Sequence, residues 1–248
     1  MTKLKSQTEI NALKEGGRIL AEVLRKISEV IKPGTKAGEL DALAEKLIRK
    51  AGAEPAFKGY QDYPATLCVS VNSEVVHGIP GHKIFKNGDI VGLDCGLKYK
   101  NLYTDAALTV GVGKISKAAA RLIEVTEDSF WQGVKAIKAG VTTGDIGHAI
   151  QAYAEANGFN VVRALVGHGV GRQVHEDPKI PNYGAKGMGV KLEAGTIIAV
   201  EPMLTEGGYE VATASDHWTV VTADGGLAAH YEHTILVTEK GSEIITKL

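Results

Sequence analysis

The sequence has little of what would build a disulfide framework, a zinc–thiolate site or a membrane span. Its 248 residues include two cysteines, Cys68 and Cys95, which are not spaced as a C-x-x-C motif. This pair excludes a thiolate zinc site and predicts a protein of a reducing compartment, the cytoplasm. The longest apolar runs, such as Thr196–Val200, are far too short to cross a bilayer. The first residues, MTKLKSQTEI, have neither the apolar region nor the cleavage site of a secretory signal.

An excess of charge of either sign is also missing. The chain has 28 Lys and Arg residues against 29 Asp and Glu residues, a formal net charge of −1. This balance predicts no basic surface for nucleic acid and no attraction to an anionic membrane. Apolar residues make up 44% and charged residues 23%, as in ordinary globular proteins. A chain of this length can bury a sizeable core in one domain, residues 1–248.

Hydrophobic periodicity predicts an alternation of helices and strands that occurs twice. Apolar residues at helical spacing predict helices over about Thr8–Ile31, Lys36–Lys50, Ser116–Ala139 and Thr143–Ala156. Short segments rich in β-branched residues predict strands over Thr66–Val71, Asp89–Leu97, Tyr103–Val110, Asn160–Val166, Thr196–Leu204, His217–Thr222 and His230–Val237. Two helices followed by strands thus form each of two halves, about residues 8–112 and 116–240.

A recurrence of residues supports a duplication. Ile31–Leu40 aligns without gaps to Ile137–Ile146, 106 residues later, and Asn87–Asp94 aligns to Ala194–Glu201 at nearly the same offset. Chance similarity of two helix–helix connections would explain the first match alone, because few positions are identical. Two matches in the same order favour a duplicated half-domain. The expected fold class is α+β, with two pseudo-symmetric halves in which helices cover an antiparallel sheet.

The duplication places carboxylates at equivalent points of equivalent strands. Asp94 and Glu201 each lie inside an apolar run, where an ionised carboxylate is costly unless it is paired or binds a metal. Each half adds a second carboxylate on its next strand, Asp105 and Glu232. A solvated or ion-paired role would explain any one of them, but not four placed alike. Four converging carboxylates raise each other's pKa, and two divalent cations would balance their charge, so a dinuclear metal centre is predicted.

Three histidines are candidates for the same site. His168 lies between glycines in Gly167–Arg172, His175 follows seven residues later, and His77 ends an apolar run before a turn. Spacing alone does not choose among them, and a histidine at a strand end is more often a satisfied polar residue than a ligand. The glycines around His168 lack the spacing of a dinucleotide-binding loop, and no helical pattern follows them, which argues against nucleotide binding there.

Together these segments resemble the type I methionine aminopeptidases, in the short form without an N-terminal zinc-finger extension. The resemblance covers essentially the whole chain and is carried by Lys14–Gly17, Ser70–Asn72, His77–Pro80, Gly167–Arg172, His175–Pro178, Glu201–Met203 and Tyr231–Thr234. It implies the pita-bread fold, itself a duplicated α+β domain. It also implies removal of the N-terminal methionine from nascent proteins and peptides, with preference for a small second residue. The implied partners are nascent polypeptides and, transiently, the ribosome.

The resemblance assigns roles to individual residues. It implies that two divalent ions are held by Asp94, Asp105, His168, Glu201 and Glu232. This mixed oxygen and nitrogen donor set suits manganese, iron or cobalt at least as well as zinc. The residues it implies for substrate binding are His77, His175, Tyr60, Tyr63, Cys68 and Trp218, with Phe57 and Val174 at neighbouring pocket positions. Val76 and Val174 stand where cysteine and a larger aromatic residue are frequent in the family, which leaves the shape of the pocket open.

Three of these residues would take part in catalysis. Glu201 would shuttle a proton from the attacking water to the leaving amine. His175 would donate toward the developing oxyanion or the scissile amide. His77 would contact the substrate near its amino terminus and its leaving amide.

Two alternatives share the fold. Aminopeptidase P and prolidase use a similar ligand set and cleave before proline, but they usually carry an additional N-terminal domain, whereas this chain begins almost at once with the catalytic domain. A non-catalytic binding module of this fold would have lost metal ligands, whereas all five positions are filled here.

Overall fold

The computed structural model describes residues 1–4 and 6–247. Within them lie four α-helices, α1 (Gln7–Glu29), α2 (Ala37–Lys50), α3 (Lys117–Ala136) and α4 (Thr143–Ala156). The four predicted helices are therefore present, with ends that differ by at most three residues. None of the described helices is long and apolar enough to cross a membrane.

Side-chain caps explain where three of the helices begin. The side chains of Ser6, Ser116 and Thr142 each accept a hydrogen bond from a backbone N–H of the first turn of α1, α3 and α4. Such a cap satisfies an N–H group that has no partner within the helix. At α4 the Asp145 side chain also accepts from the Thr142 N–H, which completes a capping box.

Fifteen strands lie among the remaining described residues. They are β1 (Glu54–Pro55), β2 (Leu67–Val71), β3 (Glu74–Val76), β4 (Ile90–Tyr99), β5 (Leu102–Gly111), β6 (Asn160–Val161), β7 (Gly167–Gly169), β8 (Glu176–Ile180), β9 (Ile197–Val200), β10 (Met203–Thr205), β11 (Val211–Thr213), β12 (Val220–Thr222), β13 (Ala228–His230), β14 (Glu232–Val237) and β15 (Ser242–Ile244). A single turn of 3₁₀ helix covers Tyr60–Asp62.

One large antiparallel sheet forms the centre of the molecule. Its strands follow the order β1-β4-β5-β14-β9-β7-β8, with β2 paired to β4 and β15 paired to β14. Two smaller sheets, β13-β10-β6 and β11-β12-β3, complete the structure. The side chains of α1 and α2 share a buried cluster with β2, β4 and β5, and those of α3 and α4 share another with β8, β9 and β14. Helices therefore cover both ends of the large sheet.

Several predicted strands are longer than the strands of the structure. The predicted strand Thr196–Leu204 is broken after Val200, and its second part, β10, belongs to a different sheet. Pro202 explains the break, because it has no N–H to donate and its φ is fixed. The predicted strand His230–Val237 is likewise divided between β13 and β14.

Two further strand predictions were wrong in extent. The predicted strand Asn160–Val166 ends at Val161. The predicted strand His217–Thr222 begins only at Val220, because the residues before it form a turn. In this turn His217 has φ +65°, and the Asp216 side chain accepts from the N–H groups of Trp218 and Thr219.

Corresponding contacts recur in the two halves. Helices α2 and α4 both have 14 residues and start 106 residues apart. Isolated bridges join Lys36 to Ile84 and Thr142 to Lys191, just before each of these helices and at the same spacing within one residue. These contacts agree with the predicted duplication, which remains a prediction.

Candidate active site

Two of the predicted metal ligands lie on one face of the β4–β5 hairpin. Asp94 is paired with Ala107, and Asp105 is paired with Gly96. Residues opposite each other share a face of a sheet, as do residues two apart on one strand. Because Ala107 is two residues from Asp105, the carboxylates of Asp94 and Asp105 point to the same side.

The row of carboxylates continues across the next two strands. Glu232 of β14 is paired with Ala107 from the other side. The pairing of His233 with Val200 sets the register of β9, and its continuation places Glu201 opposite Glu232. The small side chain of Ala107 therefore lies between carboxylates on either side and leaves room above the sheet.

His168 reaches the same face from β7. It is paired with Ala199, two residues before Glu201, and its Nε2 lies 3.4 Å from Glu201 Oε1. The other ring nitrogen, Nδ1, lies 2.9 Å from the Gly169 carbonyl oxygen. Because a carbonyl oxygen only accepts, Nδ1 carries the proton and Nε2 keeps the lone pair that a metal ligand needs. The structure thus brings all five predicted ligands together.

Burial makes this cluster costly without a counter-charge. It raises the pKa of Asp105 to about 7. Burial, together with the charge of Asp105, raises the pKa values of Asp94, Glu201 and Glu232 well above their usual range. Burial also lowers the pKa of His168 to about 3, and nearby His175 adds to this shift, so the imidazole of His168 is neutral at neutral pH. A neutral imidazole among carboxylates is a donor set for a cation.

Orphaned oxygen atoms show that the residues fit divalent cations. Within residues 1–4 and 6–247, Asp94 Oδ1, Asp105 Oδ1 and Glu232 Oε1 are buried and have no hydrogen-bond partner. One ligand atom from each of Asp105, His168 and Glu232 lies within 4.8 Å of the others. Buried charged oxygens without partners are unfavourable unless they bind a metal, and bound cations would satisfy them.

A cleft opens beside the carboxylates. It is lined by the five predicted ligands and by Phe57, Tyr60, Gln61, Tyr63, Cys68, His77, His175 and Trp218. Val174 packs in the same apolar cluster as Phe57, Tyr63 and Cys68. The structure therefore gathers every residue predicted for the substrate pocket next to the predicted metal ligands.

A second groove meets the cleft at the histidines. Its lining includes Val76, Leu165, Glu176, Asp177 and Lys179. Both cavities share His77, His168, His175 and Glu201. These four side chains thus stand between the cleft, with its apolar pocket residues, on one side and the groove on the other.

A tyrosine hydroxyl contacts one ring nitrogen of His175. The Tyr60 hydroxyl accepts from Gln61 Nε2 at 3.3 Å and lies 3.0 Å from His175 Nδ1. A hydroxyl donates as well as accepts, so Tyr60 can donate to Nδ1. In the tautomer that this direction selects, His175 Nε2 carries the proton and is a donor. Burial lowers the pKa of the third histidine, His77, to about 4, and nearby His175 adds to this shift.

Sequence reasoning missed two residues of this region. Gln61 lines the cleft in a left-handed backbone conformation, φ +48°. His230 is only 3% exposed, and its Nε2 lies 3.7 Å from Glu232 Oε2 and 3.9 Å from Glu201 Oε2. The signal for His230 was its position two residues before Glu232, since alternate residues of an extended segment share a side.

The chain matches the sequence model of metallopeptidase family M24 over residues 11–239. It is 50% identical to the methionine aminopeptidase of Clostridium perfringens over 246 residues, 99% of both chains. It is 47% identical to methionine aminopeptidase 1 of Bacillus subtilis over 98% of both chains. The relationship predicted from the sequence motifs is therefore confirmed.

Solved structures show the same similarity. The crystal structure of methionine aminopeptidase from Thermotoga maritima matches with a TM-score of 0.97 and 48% identity, and the match covers 100% of both chains. An Xaa-Pro dipeptidase from Bacillus anthracis matches with a TM-score of 0.81 and 27% identity over 99% of this chain and 62% of that one. These matches confirm the expected α+β pita-bread fold.

Proposed function

Because the chain belongs to metallopeptidase family M24, we propose that its cleft removes the N-terminal methionine from nascent proteins and peptides whose second residue is small. Relatives named methionine aminopeptidase, 47–50% identical over nearly their full length, support this substrate. The observation that carries the proposal is the position of His77, His168, His175 and Glu201 between the apolar pocket and the groove. A scissile bond held there would have one apolar side chain in the pocket and the rest of the peptide in the groove.

We propose that Asp94, Asp105, His168, Glu201 and Glu232 hold two divalent cations, whose four positive charges match the four carboxylates. When bound, such ions polarise the scissile carbonyl and lower the pKa of a water molecule. The mixed donor set suits manganese, iron, cobalt or zinc. The free α-amine of the substrate would reach this metal centre, which would make the enzyme an exopeptidase.

The side chains of the cleft then perform the proton transfers. Glu201 accepts a proton from the attacking water and passes it to the leaving amine. His175, with its proton on Nε2, donates toward the developing oxyanion or the scissile amide. His77 contacts the peptide near its amino terminus and leaving amide.

The pocket selects the side chain of the first residue. Tyr60, Tyr63, Cys68 and Trp218 line it together with Phe57. Tyr63 is held by its hydroxyl, which donates to the backbone oxygens of Leu67 and Gly78 at 3.3 and 3.0 Å. Its ring packs edge to face against Trp218, with 5.0 Å between the ring centroids. We propose that these rigid apolar walls receive the unbranched side chain of methionine and exclude water from the bond that is cleaved.

Release of free methionine from short peptides tests the proposed function. The metal-free protein is assayed on Met-Ala-Ser, Met-Leu-Ser and an Xaa-Pro peptide, each with and without added Mn²⁺ or Co²⁺. We expect metal-dependent release from Met-Ala-Ser, much slower release from Met-Leu-Ser and none from the Xaa-Pro peptide. Preference for the Xaa-Pro peptide would instead favour the activity of the Xaa-Pro dipeptidase relative, and binding of peptides without cleavage would favour a binding module.

We also propose a cellular location and a partner for this reaction. Nascent polypeptides are made in the cytoplasm, so the proposed substrate supports a cytoplasmic location and a transient association with the ribosome. Cosedimentation of the purified protein with translating ribosomes, compared with empty ones, tests the association. Equal absence from both fractions would contradict it.

A further inference from the structure

His230 faces the carboxylate cluster but does not belong to the proposed ligand set. Its side chain is buried, and its Nε2 has no hydrogen-bond partner in the part of the chain that the structure describes. The nearest polar atoms are Glu232 Oε2 at 3.7 Å and Glu201 Oε2 at 3.9 Å. A buried ring nitrogen without a partner is unfavourable, so its persistence at this place requires a reason.

The backbone of His230 is fixed from two sides. In the three-stranded sheet β13-β10-β6, His230 is paired with Met203. From the large sheet, the Thr109 hydroxyl accepts from the His230 N–H and donates to the His230 carbonyl oxygen, both at 2.9 Å. The imidazole therefore cannot move away from the two glutamates by a shift of the main chain.

The position of the ring distinguishes a direct ligand from a supporting group. The five proposed ligands line the cleft, whereas His230 is not among the described residues that line it. One ligand atom from each of Asp94, His230 and Glu232 lies within 4.8 Å of the others, so direct ligation by His230 is the alternative to be tested. His230 approaches Glu201 and Glu232, which do line the cleft, from outside it. Ligating carboxylates are commonly hydrogen-bonded from behind by a second group.

We propose that His230 is a positioning residue of the metal centre, whose Nε2–H donates to Oε2 of Glu201 and Glu232 and so orients both carboxylates toward the cations. The inference rests on the metal centre of the proposed function. Carboxylate oxygens are strong acceptors for such an N–H donor. Closing 3.7 Å to a normal hydrogen bond requires a side-chain movement of less than about 1 Å.

Two variants distinguish the effect of the N–H donor of His230 from the effect of the volume of its ring. His230→Gln keeps an N–H donor, and His230→Leu keeps a similar volume without one. Binding of Mn²⁺ to the metal-stripped full chain is measured by titration calorimetry, with circular dichroism to verify the fold. We expect His230→Leu to bind as many ions as the parent protein with affinity about 10–100-fold weaker, the usual effect of losing a supporting partner. His230→Gln should bind with nearly the parent affinity.

Each other result overturns the proposal. Unchanged Mn²⁺ affinity in His230→Leu would mean that the ring only fills space. Loss of one bound ion in both variants would make His230 a direct ligand. If neither variant folds, ¹⁵N NMR of the histidine rings in the parent protein, loaded with diamagnetic Zn²⁺, decides the matter. His230 Nε2 should then carry a proton, and an unprotonated Nε2 contradicts the proposal. A parent protein that binds no divalent cation would refute the proposed function itself, which the same titration reveals separately.

Discussion

The β4–β5 hairpin and the junction of β9 with β14 each supply two of the proposed carboxylate ligands, yet they hold them differently. β4 and β5 pair residue by residue over ten positions, and Asp94 and Asp105 lie inside this ladder. Glu201 comes directly after the end of β9, and Glu232 is the first residue of β14. In the hairpin the neighbouring backbone pairs orient the ligands, whereas at the junction the chain leaves the sheet at the ligand itself.

At the junction, hydrogen bonds from side chains hold the backbone where the ladder of backbone pairs ends. Asn182 Nδ2 donates to the Glu201 carbonyl oxygen at 2.9 Å. The Thr234 hydroxyl accepts from the Asp105 N–H and donates to the Asp105 carbonyl oxygen, both at 2.8 Å, and so joins β14 to the hairpin. A ladder distributes orientation over many hydrogen bonds, whereas a junction depends on a few. Substitutions of equal chemistry should therefore cost more at the junction than in the hairpin.

Glu201→Gln should have the largest effect, because Glu201 is proposed as both ligand and proton carrier. The amide keeps the shape of the side chain but cannot accept the proton, so kcat on Met-Ala-Ser should fall on the order of 10³-fold with the fold intact. Single-turnover kinetics and circular dichroism measure the two quantities. A kcat close to that of the parent protein would remove Glu201 from the proton transfer.

Thr234→Val should have the next largest effect, on stability. Valine keeps the volume but leaves both backbone groups of Asp105 without a partner in a buried place. We expect the free energy of unfolding to fall on the order of 2–4 kcal/mol, measured by urea denaturation. Thr234→Ser keeps the hydroxyl and is the matched control. A loss in Thr234→Val no larger than that in Thr234→Ser would show that the hydrogen bonds matter no more than the methyl group, and would weaken the view that this side chain joins β14 to the hairpin.

Asn182→Leu should follow, with its effect mainly on catalysis. The Glu201 carbonyl oxygen loses its donor, so the carboxylate is less well oriented and kcat/KM should fall about 10–100-fold. Asn160→Leu is the control, because Asn160 Nδ2 also donates to a backbone oxygen, that of Gly207 at 2.8 Å, but away from the proposed ligands. The control should lose stability and keep its kcat/KM. Similar losses of kcat/KM in both would mean that the effect is not specific to the junction.

The same comparison explains what could be predicted from the sequence. The hairpin strands Asp89–Leu97 and Tyr103–Val110 were predicted to within two residues, because local alternation and turn residues determine a regular ladder. The junction was not predicted, since Thr196–Leu204 is a nearly continuous apolar run. Whether such a run stays in one sheet depends on partners distant in sequence, although Pro202 was a local signal for the break.

The sequence was sufficient to predict the carboxylates of the site but not the residues that support them. A buried charge is visible in a sequence as an acid within an apolar run, which is how Asp94 and Glu201 were selected. The groups that support them are ordinary residues far away along the chain. Thr234 is 129 residues from Asp105, and Asn182 is 19 residues from Glu201. No local pattern connects such pairs, so only the fold reveals them.

Thr104→Val should have the smallest effect and tests the hairpin side of the comparison. Thr104 is adjacent to Asp105 within the ladder, is 1% exposed, and its hydroxyl has no hydrogen-bond partner among the described residues. Replacing an unpartnered buried hydroxyl with a methyl group should leave the free energy of unfolding unchanged or raise it by up to about 1 kcal/mol. The kcat should not change, because the backbone pairs on both sides still orient Asp105. Thr104→Ser, which keeps the hydroxyl and loses the methyl group, should instead lower stability by about 1 kcal/mol. A tenfold loss of kcat in Thr104→Val would show that the ladder does not insulate its ligands from their neighbours, and the contrast between the two regions would then disappear.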